Sequence, residues 1–448
     1  MGAGTAGVVD LERSDSSLTE TPASRRGVVS PSRRIRIAGL SRLLVVCFAV
    51  SLVAASFLIT AGSGSASTWG SVSDLSAADQ TSSNPRIALS SDGTRATAIW
   101  GRSNGTNSIA QSVSGTITGS SVTWGQVTDL SEIGQSAFDQ QIALSSDGTR
   151  ATAIWRRSNG SNWIVQTASA TITGNTASWG AITDLSAVGQ SAVGTQIALS
   201  SDGTRATAVW YRYGLISQTY VTIVQSSSAT ITGNTASWGA VNDVSQPILN
   251  SNQWPANSVS RIALSSDGTR ATAVWFDQTG IDDKAHAASA AITGNSASWS
   301  AETDISVAGG PARYPEIALS SNGTRATAVW TQASDGSQAN VQSASATITG
   351  NTASWGSVSV LSAAGHAASG LDIALSSDGT RATAVWFRSD GSKFVVQSTS
   401  AAITANTASW GAVTDLSAAG QDALNPQIVL STDGARGSAP TWVCPDFG

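Results

Sequence analysis

From residue 67 onward the chain alternates with a period of two. In residues 149–155, Ala151, Ala153 and Trp155 fall on one side of an extended segment and Arg150, Thr152 and Ile154 on the other. Residues 164–173 repeat the pattern, with Ile164, Ala168, Ala170 and Ile172 set against Val165, Thr167, Ser169 and Thr171. Such alternation in segments rich in Thr, Val and Ile predicts half-buried β-strands. Residues 141–145 and 178–185 complete a set of four strands. The pairs Asp147-Gly148 and Gly174-Asn175 turn the chain between strands, because both tolerate positive φ.

This unit recurs. Ile-x-Leu-Ser-x-Asp/Asn-Gly begins at Ile87, Ile142, Ile197, Ile262, Ile317, Ile373 and Ile428, and a second series of Trp-Gly-like segments begins at Trp69, Trp124, Trp179, Trp238, Trp299, Trp355 and Trp410. Most spacings are 55 or 56 residues. Four short strands in a repeat of this size predict one blade of a β-propeller. Blades stack face to face, which explains Ala, Ser and Thr where a solvated sheet would carry charges. A solenoid would need shorter coils, and separate sandwiches about 100 residues each. The predicted fold is therefore all-β, a β-propeller of seven blades with four antiparallel strands each, occupying residues 67–448. The last blade is incomplete: residues 69–75 read as its fourth strand, its third strand is missing, and Pro440 interrupts its second.

The stretch Ser-x-Asp-Gly-x-x-Ala-x-Ala-Val-Trp resembles TolB-like and WD-repeat-like propeller repeats. The resemblance covers about a third of each repeat and implies the fold alone. It departs from the Asp-box of sialidase-type propellers, since Trp155 stands eight residues after Asp147.

Residues 1–66 differ from the rest. Arg33, Arg34, Arg36 and Arg42 precede an uncharged run at 43–61, and Gly64 and Ala66 sit at −3 and −1 of a cleavage site. This reads as a secretory signal or an uncleaved membrane anchor, and either would export the repeats to the cell surface or medium. The remaining chain carries 17 basic and 25 acidic groups, a net −8, which offers no footprint for nucleic acid. Membrane contact is expected only through the anchor, and the protein is expected to be a monomer. Cys47 and Cys444 are not placed to staple the fold.

Little of the sequence announces chemistry. The repeated Asp of the turns (Asp92, Asp147, Asp202, Asp267, Asp378) is replaced by Asn322 in one repeat, which suits a turn and not an acid. The repeated Arg (Arg95, Arg150, Arg205, Arg270, Arg325, Arg381) is expected to pair with an acid between blades or remain solvated. His286 and His366 read as loop residues without an acid partner, which argues against a triad. No catalytic residue, metal ligand or cofactor motif is assigned. Sequence diversity falls instead on one end of the blades, in the second-to-third loops and the connections between blades. There Tyr211, Arg212, Tyr213 and Tyr220 cluster in one loop, Trp254 lies in the next connection, and Phe276 and Asp277 open the following loop. Aromatic faces flanked by polar groups suit a glycan or a protein segment. The expected function is an exported, non-catalytic binding protein, with a polysaccharide hydrolase or lyase as the alternative.

Overall fold

The computed structural model describes residues 70–444 except 79, 104, 217–218, 250–259, 278–282, 308–309, 334–338, 364–366, 390, 418–421 and 440–441. The signal or anchor at 1–66 and Trp254 therefore lie outside the described residues. Every regular element among those described is a β-strand. Six sheets follow one another, each built as the second is: Ala137–Leu144 pairs with Arg150–Ser158, that strand with Trp163–Thr173, and that with Thr176–Trp179 and Thr183–Asp184. All pairings are antiparallel. The protein is an all-β propeller of four-stranded sheets.

Each fourth strand is split because the chain passes close to the next sheet between its two halves. A Cβ on Gly180 would lie 2.1 Å from the Asn234 carbonyl oxygen, and one on Gly125 would lie 1.9 Å from that of Asn175. Glycine admits the approach at these positions, and the fourth sheet carries Ser300 at the equivalent place with the same backbone bond.

Each sheet packs on its successor through small residues and one large indole. Ile99, Ala110, Leu130 and Ala137 meet Ala153, Trp155 and Ala168, and the pattern repeats around Trp210, Trp275, Trp330 and Trp386. These five Trp side chains are fully buried. Most of their indole N–H groups also find partners: Trp155 donates to Gln166 Oε1 at 3.0 Å, and Gln166 donates to Asp184 Oδ1 at 2.7 Å. The same relay runs through Trp100, Gln111 and Asp129, through Trp210, Gln225 and Asp243, and through Trp386, Gln397 and Asp415. In the fifth sheet, where Val360 replaces the Asp, Trp330 donates instead to Gln332.

The Ser-Asp-Gly turns join the sheets. Asp147 Oδ1 accepts from the Ser145 hydroxyl at 2.6 Å, the Thr149 N–H at 2.9 Å and the Thr149 hydroxyl at 2.8 Å. Asn322 accepts the same three bonds, so the position is a turn-former. So fixed, each turn donates to the next: Ser91 to Ser146, Ser146 to Ser201, Ser201 to Ser266, Ser266 to Ser321, Ser321 to Ser377 and Ser377 to Thr432, all N–H to carbonyl at 2.8 Å. The repeated Arg, expected either to meet an acid between blades or to remain solvated, stays partly exposed and spans two sheets through backbone carbonyls. Arg95, Arg205 and Arg270 donate to the carbonyls of Gly174, Gly294 and Gly350 at 3.0–3.1 Å. The stem of Arg150 lies so close to Gly203 that a Cβ there would come within 2.7 Å of it.

The first strands carry a feature absent from the sequence reading. Those of the first, second, third, fifth and sixth sheets contain a β-bulge two residues before the position preceding the repeated Ile, with a residue at positive φ: Asn84 (48°), Asp139 (56°), Gly194 (65°), Tyr314 (53°) and Gly370 (60°); Asn425 (47°) adopts the same φ at the equivalent place in the seventh. The bulge lengthens the first strand at its early end, so Ala137 and Phe138 pair where a loop was expected.

The seventh sheet has two strands among the described residues, in the register of the others. Leu430 pairs with Gly437 and Leu424 with Trp442, as Leu375 pairs with Ala382 and Ser369 with Phe387. Trp442 thus stands one place beyond the position of the repeated Trp. Residues 70–75 do not form the expected fourth strand, and among the described residues no third strand of the seventh sheet pairs with them. They nevertheless lie on the first sheet as their equivalents lie on theirs. Gly70 abuts the Ser120 carbonyl, and Leu75 packs on Ala98, Trp100 and Val113.

Two outcomes are expected. Trp210→Ala should cost about 3–5 kcal/mol of stability, read by denaturant unfolding, because it empties an inter-sheet core. Bonds from the Ser376 hydroxyl and from Thr380 hold the Asp378 carboxyl down at about 2. Its folded value lies below the unfolded one, so its contribution is present above about pH 4 and is lost as pH falls toward 2. Asp378→Asn, which reproduces the Asn322 turn, should fold normally at pH 7 and show a flatter loss of melting temperature between pH 4 and 2.

Candidate functional site

At the end of the sheets away from the Ser-Asp-Gly turns, side chains differ from sheet to sheet. The third sheet reaches furthest. Its second and third strands, Arg205–Ile216 and Thr219–Thr232, form the longest hairpin among the described residues, so Tyr211, Tyr213 and Tyr220 stand on strands and not in a loop. The alternation of the second strand continues beyond Trp210, which places Tyr211, Tyr213 and Leu215 on one face. Tyr220 pairs with Leu215 and shares that face.

That register separates the expected site residues. Tyr211 is fully buried between the third and fourth sheets, and its hydroxyl donates to the Phe276 carbonyl at 3.4 Å. Burial drives its phenol well above the ordinary range. Phe276 is buried as well, its ring 5.8 Å from that of Tyr314. Both act in packing. Tyr213 and Tyr220 come together further out, stacked at 5.2 Å between centroids and 6° between planes. Tyr220 is 37% exposed, and Leu215 and Leu249 beside it are 60% and 66% exposed. Leu249 belongs to a short segment, Ile248–Leu249, that pairs with the outer end of the hairpin. Arg212 is half-buried on the opposite face. A second aromatic feature, not anticipated, occupies the second sheet. The Arg156 guanidinium lies over Trp163 at 4.6 Å and over Phe138 at 5.8 Å, with its Nε 2.8 Å from Asp139.

Asp277 joins a different group. His286 stands not in a loop but on the third strand Ala285–Thr293, at the position held by Gln in the other sheets. Its Nε2 is 2.7 Å from Asp277 and its Nδ1 3.0 Å from Asp304, and Lys284 pairs with Asp304. The ring stacks on Trp275 at 5.9 Å. His286 therefore has two acid partners, and a Gln-to-His replacement in the relay would have revealed them. Burial disfavours its charged form, but the two carboxylates outweigh that cost and hold it above the usual imidazole range. His366 lies outside the described residues.

The inner strands hold the most concentrated electrostatics. The residue before each repeated Ile occupies one register position: Arg86, Gln141, Gln196, Arg261, Glu316, Asp372 and Gln427. In six sheets it pairs with, or stands opposite, a fully buried Ile or Val, which places it on the face that meets the next sheet. First strands of successive sheets are neighbours, so these side chains form a series. Arg261 Nε lies 2.7 Å from both Glu316 oxygens. Asp372 accepts from the Ile373 and Ile428 N–H groups at 2.9 and 2.8 Å. Burial, reinforced by the charge of Glu316, pushes its carboxyl up to about 7. Among the described residues no group of three or more His, Cys, Asp or Glu is placed to hold a metal ion.

No protein-family model matches the chain, and no curated protein matches it. Solved structures do. A protein assigned as a 6-phosphogluconolactonase from Bacteroides uniformis shares 12% identity over 81% of this chain and 89% of its own, with a TM-score of 0.40. The NanB sialidase from Streptococcus pneumoniae shares 10% over 78% and 63%, at 0.37. Prolyl oligopeptidase B from Galerina marginata shares 11% over 81% and 47%, at 0.41. At these values the likenesses carry no argument about activity.

The relay substitution yields a test. The folded His286 value lies above the unfolded 6.5, so its stabilisation is complete below about pH 6.5 and is lost as pH rises through the folded value. His286→Gln, which restores the relay of the other sheets, should flatten the fall in melting temperature as pH rises above about 6.5. An unchanged slope would mean that His286 does not hold its proton there.

Proposed function

We propose that this chain is an exported, non-catalytic binding protein that holds a polymer, glycan or protein, at the variable end of its sheets. One observation carries the reading. The repeated polar groups at the turn end are committed to bonds within turns and between sheets, whereas the variable end carries exposed aromatic and aliphatic side chains on the longest hairpin. The stacked Tyr213–Tyr220 pair, with Trp254 as a further contributor, would offer a flat apolar edge to a sugar ring or an extended peptide. Export rests on the basic stretch and apolar run before residue 66, and the kinship with TolB-like or WD-like repeats on the Ser-x-Asp-Gly turn.

One observation favours the alternative of a polysaccharide hydrolase or lyase: Asp372 and Glu316 occupy the same register position in successive sheets, and burial raises both carboxyl groups, Asp372 to about 7, which is the range a general acid needs. The two readings separate experimentally. Under the binding reading, a Tyr220→Ala, Trp254→Ala double variant stays folded and loses about tenfold or more in affinity for cell-wall polysaccharide, measured by affinity electrophoresis. Release of reducing ends by the wild-type protein, abolished in Asp372→Asn, would establish the hydrolase instead.

A further inference from the structure

Six of the seven side chains on the inner strands, all but Gln427, divide into two arcs of three. One is self-contained: Arg261 is paired with Glu316, and Asp372 is held by two backbone N–H groups. The other is Arg86, Gln141 and Gln196, contributed by three successive sheets whose first strands are neighbours. Within it the only side-chain bond is from Arg86 Nη1 to the adjacent Pro85 carbonyl at 3.2 Å. Among the described residues no carboxylate lies within ion-pair distance of Arg86, and the amides of Gln141 and Gln196 bond to no protein group.

Arg86 is exposed to water yet enclosed enough that desolvation weakens its proton affinity, and the like charge of Arg261 weakens it further. Asp139, the nearest compensating charge, is already paired with Arg156 at 2.8 Å. A wet but hemmed-in guanidinium without an ion-pair partner among the described residues, with two uncommitted carboxamides on the same row, leaves one positive charge and several hydrogen-bonding groups open to a ligand. The bulges hold this row in place. Asn84 and Asp139, two residues before Arg86 and Gln141, adopt positive φ at a backbone cost, and such strain is kept where geometry matters.

We propose that Arg86, Gln141 and Gln196 form a carboxylate subsite for an acidic glycan, the guanidinium taking the carboxylate of a uronic acid and the two amides its ring hydroxyls. This rests on the binding reading above and deepens it, since a sugar offers acceptors beside its carboxylate where an acidic peptide side chain offers the carboxylate alone. Arg is suited to the role because its planar fork matches a carboxylate in two parallel bonds.

The test is titration of the full chain with polygalacturonate, a neutral glucan and polyglutamate, by calorimetry at low and high salt. The variants are Arg86→Gln, which installs the residue that two neighbouring sheets already carry, and Gln141→Glu, which adds a repelling charge. Support requires that the wild type prefer polygalacturonate to the other two, that each variant lose about tenfold in affinity for it with unchanged melting temperature, and that added salt weaken the wild type more than Arg86→Gln. Equal binding of polygalacturonate and neutral glucan, or an indifferent Arg86→Gln, overturns the subsite and leaves the binding reading standing. Preference for polyglutamate overturns the sugar assignment. Binding of no polymer by the wild type overturns both.

Discussion

The fold depends on how closely one Ser-Asp-Gly turn can approach the next. The aspartate, or Asn322 in its place, gathers three bonds from its own turn and fixes that turn's shape, and the N–H of the residue just before it reaches the carbonyl of the corresponding turn one sheet on. Gly203 and its equivalents serve two needs at once, a positive φ for the turn and an absent Cβ where the preceding sheet's Arg stem lies. The Arg then continues to a carbonyl in the third-to-fourth turn of its neighbour. Because these partners are backbone groups, the arrangement repeats without requiring that any second side chain be repeated.

A consequence is a division of labour along the strands. At the turn end, polar groups are consumed in holding sheets together. In the middle, indoles and alanines fill the space between sheets, with the Gln relay satisfying the buried N–H groups. Beyond the bulges, neither constraint applies, and side chains there are set by each sheet separately. The Tyr213–Tyr220 stack, the Arg156 clamp between Phe138 and Trp163, and the His286 group all occur in this third region or at its border.

Much of the fold was legible in the sequence because it is local. Period-two alternation, Asp-Gly turns and the replacement of Asp by Asn322 each state a physical requirement that neighbouring residues must meet. The bulges were not legible, because Asp139 or Tyr314 at positive φ reflects the pairing register with the second strand and no preference of its own. The site was half legible. The cluster of tyrosines was visible, but extending the alternation past Trp210 by one step would have assigned Tyr211 to the core. The inner row was overlooked for a different reason. Arg, Gln, Glu and Asp vary within an otherwise constant strand, and variation was sought only in loops. His286 was misplaced because its loop differs in length, which hid its correspondence to Gln166 and Gln225.

One end of the sheets holds the fold together, whereas the other end and the inner row are available for recognition, and amide hydrogen exchange distinguishes these regions directly. With polygalacturonate added, exchange should slow in the hairpin around Tyr213 and Tyr220 and in the first strands around Arg86, Gln141 and Gln196. The amides of Ser146, Ser201 and Ser266 should exchange slowly with or without the polymer. Protection appearing instead at the Ser-Asp-Gly turns, with the hairpin unchanged, would contradict this division.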